Sequence, residues 1–142
     1  MKFCYLPLAL LLFGCSSPKS EKTGIVYAGN FELLNKTELA EKWNAMLEKN
    51  GFQTRLSTFK IRKNYDGATD ETYYYLFAES LDNTTKAATI LNRDRNYFYI
   101  EKKPEFIVCS CVEGTPRQFD HQWICESQTD ESDCTETILA SK

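Results

Sequence analysis

Histidine is nearly absent from this sequence: His121 stands alone among 142 residues, and that scarcity narrows the available chemistry. Its neighbours Asp120 and Gln122 complete no familiar motif, so a Ser/His/Asp or Cys/His site would have to be built on one residue. The chain has no His-x-x-x-His pair for a metal and no glycine-rich phosphate loop among its 6 glycines. Basic charge is not in excess either. Against 20 Asp and Glu stand 17 Lys and Arg, a formal net charge of −3, whereas nucleic-acid binding relies on cations that displace counterions from phosphates. No apolar run reaches the roughly 20 residues that cross a bilayer as a helix. Asn64-Tyr65-Asp66-Gly67 lacks the spaced acids and distal Glu of a calcium loop and reads as a hairpin turn. These gaps point away from an enzyme and from a nucleic-acid partner, and they imply no cofactor and no metal.

What is present begins at the amino terminus. Met1 and Lys2 precede an uncharged run over 3–13, which ends on the small residue Gly14, the three-part order of a secretory signal. Leu12-Phe13-Gly14-Cys15 resembles the lipobox of bacterial lipoproteins, with Leu three positions before the cysteine and Gly directly before it. That resemblance implies removal of residues 1–14, a diacylglyceryl thioether on Cys15, and further acylation, as by palmitate, at the new amino terminus. Several acyl chains on one residue make a lasting anchor where a single chain binds only marginally. Ser16, rather than Asp, follows the cysteine, which favours the outer membrane over the inner within a lipid-anchored, cell-envelope location.

Residues 16–23 are polar throughout apart from Pro18, too little to offset the entropy of ordering, so 15–23 is expected to be the lipidated cysteine and a flexible tether. The remainder, 24–142, has the size of a single domain, with a cysteine-rich part over 105–142. Within it, 34–52 predicts an amphipathic helix. Asn35 and Glu38 are spaced as a capping box, Leu39, Trp43, Met46 and Leu47 share one face, and Gly51-Phe52 suits a Schellman end. Residues 25–34 are ambiguous between a strand and a lead-in.

Beyond the helix the period changes to two, predicting strands at 52–63, 72–80, 86–91, 97–102, 105–112 and 122–126, joined by short turns as an antiparallel meander. The apolar phase shifts within 52–63, which calls for a bulge near Ser57 and Thr58. The predicted class is therefore α+β, one amphipathic helix packed on an antiparallel β meander with a disulfide-stapled C-terminal hairpin.

The aromatic runs at 73–77 and 97–100 admit two readings: a tyrosine platform that stacks on sugar or peptidoglycan, or a central strand covered on both faces. Under the first, Tyr73 and Tyr75 are candidate binding residues, joined by Arg117 and Phe119 in the stretch 113–121. That stretch could also project into the cleft of an envelope hydrolase as an inhibitor loop. Cys109, Cys111, Cys125 and Cys134 form an even set in an exported domain, the pattern of disulfides. Cys109 and Cys111 look the same way along one strand and should not pair with each other. Setting 105–112 against 122–126 as a hairpin predicts Cys111 with Cys125 and Cys109 with Cys134, the opposite crossing being the alternative. A rival use of Cys109, Cys111, Cys125 and His121 is a metal or thiol-redox site. This arrangement of cysteines resembles that of small uncharacterised envelope lipoproteins with a cysteine-rich C-terminus. The expected role is non-enzymatic binding or support at the membrane, with an envelope protein or peptidoglycan as partner.

Overall fold

The structure, a computed structural model, describes residues 20–129 and 133–140. The expected signal peptide, Cys15 and the tether up to Lys19 lie outside the described residues. The domain starts earlier than expected, because β1 (Glu21–Tyr27) begins inside the stretch assigned to the tether. Thr23 is buried there, and Glu21 reaches the helix residue Lys42 at 2.9 Å. A two-residue turn with positive φ at Ala28 and Gly29 returns the chain as β2 (Asn30–Leu33), which resolves the ambiguous stretch as a hairpin.

The single helix among the described residues, α1 (Lys36–Lys49), follows almost directly. Asn35 flanks it as expected but adopts the left-handed conformation (φ 51°, ψ 46°) and makes no side-chain cap, so the capping box does not form. With Leu34 and Asn35 alone between β2 and the helix, the chain must turn a sharp corner, and Asn tolerates that conformation better than most residues. The other end is as expected. Gly51 takes φ +87°, its N–H donates to the Glu48 carbonyl at 3.0 Å, and the Phe52 N–H donates to that of Leu47 at 3.0 Å, the bond pattern of a Schellman cap.

Leu39, Trp43 and Leu47 are buried on one face of α1, and Trp43 meets the rings of Phe59 and Phe106 edge-on at 5.6 and 5.1 Å. Asn44 lies beside this stripe. Its amide donates to the Leu56 carbonyl at 3.0 Å and accepts the Leu56 N–H at 2.7 Å, which fastens the helix to the start of β3 (Leu56–Asp66). The register of β3 against β4 (Glu71–Ser80) shifts between Leu56 and Thr58, the bulge that the change of apolar phase predicts.

The main sheet has eight antiparallel strands and is organised around β5 (Thr85–Asp94). One edge of β5 carries β4. The other is shared, by β7 (Glu105–Ser110) along Thr85 to Thr89 and by β6 (Tyr97–Ile100) along Leu91 to Asp94. The expected meander therefore holds from β3 to β6 and fails at β7, which returns past β6 to the free length of β5. β6 also pairs with β1, and β10 (Thr135–Ala140) adds to the outer edge of β7.

A second layer covers the sheet face opposite the helix. It is a two-stranded hairpin of β8 (Thr115–Phe119) and β9 (Gln122–Glu126). The predicted hairpin of 105–112 with 122–126 does not form, because β5 and β10 already occupy both edges of β7. Residues 113–121 supply β9's partner instead, so they do not project as a loop. Pro116 lies within β8, where its missing N–H is tolerated because the strand is an edge. The strand aromatics split between two cores: Tyr74 and Phe98 pack toward the helix, and Tyr73, Tyr75 and Phe77 toward the hairpin. This is the reading in which a central strand is covered on both faces.

Candidate functional site

Most of the polar and sulfur chemistry of the domain gathers between the β8–β9 hairpin and the sheet beneath it. Cys109 on β7 bonds to Cys125 on β9, with Cα atoms 5.8 Å apart, and Cys111, just past β7, bonds to Cys134, just before β10, with Cα atoms 4.8 Å apart. All four expected cysteines are thus in disulfides, but in the opposite crossing to the predicted one. The reason is topological: β10, not β9, runs beside β7, so Cys134 arrives next to Cys111 while Cys125 comes down from the second layer onto Cys109.

The two disulfides are neighbours. The sulfurs of Cys109, Cys125 and Cys134 lie within 4.8 Å of one another, and Gly114 closes over the outer pair. A side chain at Gly114 would meet the sulfurs of both Cys111 and Cys134. Its N–H donates to the Cys111 Sγ at 3.2 Å. Beneath them Lys86 is buried at 5% exposure and makes no ion pair among the described residues. Its ammonium instead donates to three carbonyls, of Val112 at 2.6 Å and of Asn83 and Cys111 at 3.2 Å each. A buried charge is tolerable only with such partners, so Lys86 fixes the 111–112 segment to the β4–β5 turn.

At the far end of the hairpin a carboxylate does similar work. Asp120 and His121 form its turn with φ of 52° and 60°, and Asp66 accepts both N–H groups, at 3.1 and 3.0 Å, along with that of Ala68 at 3.0 Å. The two turns cover Asp66 to 3% exposure. Burial pushes its carboxyl up, but the N–H donors of His121, Asp120, Ala68 and Thr69 together outweigh that and hold it below the usual carboxylate range. The turn predicted at Asn64-Tyr65-Asp66-Gly67 lies further on, at 67–70: Asn64, Tyr65 and Asp66 pair with β4 as the end of β3, and from that strand end Asp66 grips the turn of the second hairpin.

Between these ends the hairpin seats on aromatic rings. Trp123 packs on Tyr73 and Tyr75, and the Gln118 N–H donates to the Tyr73 hydroxyl at 3.0 Å. Burial raises the Tyr73 phenol above its ordinary value, partly offset by that N–H. With its amide oriented to suit both neighbours, Gln118 donates to the His121 carbonyl at 3.1 Å and accepts from Trp123 Nε1 at 3.2 Å.

The four candidate binding residues do not form one platform. Tyr75 is buried at 4% exposure and Tyr73 is half-covered under β8, so neither presents a ring face to a ligand. Arg117 and Phe119 alternate onto the outward side of β8, where Arg117 pairs with Glu126 and Phe119 is 50% exposed. The metal alternative does not assemble either. His121 is at the hairpin tip, 3.7 Å from the Glu71 carboxylate, whereas Cys125 is opposite Pro116 near the other end. Lys86 and Gln118 complete the region without having been singled out in the sequence, Asp66 was read only as part of a turn, and Gly114 and Trp123 only as members of the stretches 113–121 and 122–126. Trp123-Ile124-Cys125 was the nearest signal, an apolar strand carrying a cysteine. No helix among the described residues is long and apolar enough to cross a membrane. Compared with protein-family models, curated proteins and solved structures, the chain matches none.

Proposed function

We propose that this chain is a lipid-anchored cell-envelope protein whose domain has a non-enzymatic, binding or structural role, with Cys15 as the anchor. The observation that carries the reading is the pair of disulfides beneath the hairpin, since such bonds persist in oxidising compartments outside the cytosol. It agrees with Leu12-Phe13-Gly14-Cys15 at the other end of the chain. β1 begins at Glu21, six residue steps after Cys15, and at about 3.3–3.6 Å each those steps hold the start of the domain within about 22 Å of the lipidated residue. A protein held this close meets partners in the plane of the membrane and at its surface. Arg117 and Phe119, on the outward side of β8, are the contacts offered to an envelope protein or to peptidoglycan.

The anchor is tested by Cys15→Ala. The unaltered protein should enter the detergent phase of a phase-separating detergent, and the variant should move to the aqueous phase or keep an uncut signal, because the anchoring energy resides in the acyl chains. Equal partition of both, with equal processing, would defeat the lipoprotein reading.

A further inference from the structure

Adjacent disulfides are common as staples, but here two features single out the Cys111 sulfur as a leaving group. We propose that Cys111–Cys134 is a thiol–disulfide exchange site for an external dithiol, and that its reduction is passed inward to Cys109–Cys125. The inference stands on the sulfur cluster and does not depend on Cys15.

Cys111, Cys134 and Cys125 are half-buried and Cys109 is fully buried, so an incoming thiolate can reach both sulfurs of the outer pair but only one of the inner. The Gly114 N–H already points at the Cys111 sulfur, and the Lys86 ammonium is bonded to the carbonyl of the same residue. Both favour negative charge at Cys111, as hydrogen-bond donors and cations do at reactive cysteines. Attack by the dithiol therefore falls on Cys134 Sγ. A bond forms between the reductant sulfur and Cys134, the Cys111–Cys134 bond breaks, and its electron pair leaves on Cys111, which takes a proton from water. The second thiol of the reductant then displaces Cys134 as a thiolate, and the reductant departs as its own disulfide, having given up two electrons.

Cys134 is now a thiolate within 4.8 Å of both sulfurs of the inner disulfide, and it lies just before β10 rather than in its ladder. It attacks Cys109 Sγ, forming Cys109–Cys134 and expelling Cys125, a step that consumes no further electrons. Cys125 is the better leaving group of the two because it is half-exposed, while a thiolate at Cys109 would be stranded in the core. The Glu136 carboxylate, which accepts the Cys125 N–H at 3.0 Å, opposes this by repulsion. Across a partly solvated surface that repulsion is the smaller effect. The result is a two-electron store whose free thiols, Cys111 and Cys125, sit on different layers of the domain.

The direct test uses Cys111→Ser in the full chain, purified without reductant, acid-quenched, alkylated and mapped by peptide mass spectrometry. Exchange requires the label to divide between Cys134 and Cys125, within about tenfold of each other. Label confined to Cys134 would overturn the proposal. Should that variant fail to fold, the unaltered chain titrated with dithiothreitol decides the matter. A two-thiol species labelled at Cys111 and Cys125 supports it. Loss of both disulfides in one step, or two thiols at Cys111 and Cys134 alone, sinks it.

Discussion

The two faces of the main sheet are closed in different ways. On the helix side, Trp43, Leu47, Phe59, Leu76, Phe98, Phe106 and Val108 form one apolar core from elements spread along the chain, and Asn44 is the main polar clamp. On the hairpin side the core is smaller, namely Tyr75, Phe77, Ala88, Ile107, Cys109 and Trp123. It is bordered by two disulfides, a buried lysine, a buried carboxylate and a buried glutamine. A helix with a continuous apolar stripe obtains most of its stability from packing. A two-stranded hairpin is marginal by itself, so its attachment is reinforced by covalent and polar bonds at both ends.

The comparison breaks first at Trp43. Trp43→Ala empties the centre of the larger core and should cost about 3–5 kcal/mol, read as an equal fall in urea-unfolding free energy by every probe, because the helix side unfolds as one unit. A cost below about 1 kcal/mol would mean that the helix face contributes little more than the hairpin face does. The next largest effect belongs to the inner disulfide. Cys109→Ala with Cys125→Ala should cost about 2–4 kcal/mol, but as a local loss. Hydrogen exchange should speed up in β8 and β9 while α1 and β3 keep their protection, and uniform loss across the domain would erase the distinction between the faces.

The smallest effect, and the sharpest in position, is at Asp66. Its carboxyl is held below the usual range, so its stabilisation is complete above the ordinary aspartate value of about 3.9 and fades as pH falls through the lower, folded value. Asp66→Asn should therefore expose the Asp120 and His121 amides to exchange at neutral pH and flatten the loss of stability on acidification below about pH 4. An unchanged acid slope in the variant would show that other carboxylates hold the hairpin tip.

How much of this was legible in the sequence follows the same division. The helix stripe, its Gly51 terminus and the bulge at Ser57 depend on neighbours within a few residues, and periodicity displays them directly. The α+β class and the disulfide state of the four cysteines were also readable. The hairpin side was not. Pro116 and Gly114 made β8 look like a loop, and the short apolar pattern of β10 lay beyond Cys134, where the sequence reading placed no strand. Missing β10 left β7 with a free edge, and assigning β9 to that edge reversed the disulfide crossing. Lys86 and Asp66 were hidden for another reason: their partners are 25 and 54 residues away, and nothing local marks a lysine or an aspartate for burial. The tether boundary was misplaced because Glu21 and Lys22, though charged, occupy the exposed positions of a strand whose buried positions are Thr23 and Gly24.

The divided edge of β5 has a consequence for how damage spreads. Three groups of strands, β3 with β4, β6 with β1 and β2, and β7 with β10, each bond to β5, and none of them bonds to another. The sheet is thus a star rather than a chain of neighbours, and a break in one branch leaves the other two attached to the hub. Only β5 lacks a substitute. Ala87 and Ala88, both without exposed surface, sit within it and face the two cores. Enlarging either would push against one layer through the strand that every branch shares, so at these two positions a change in size is shared most widely.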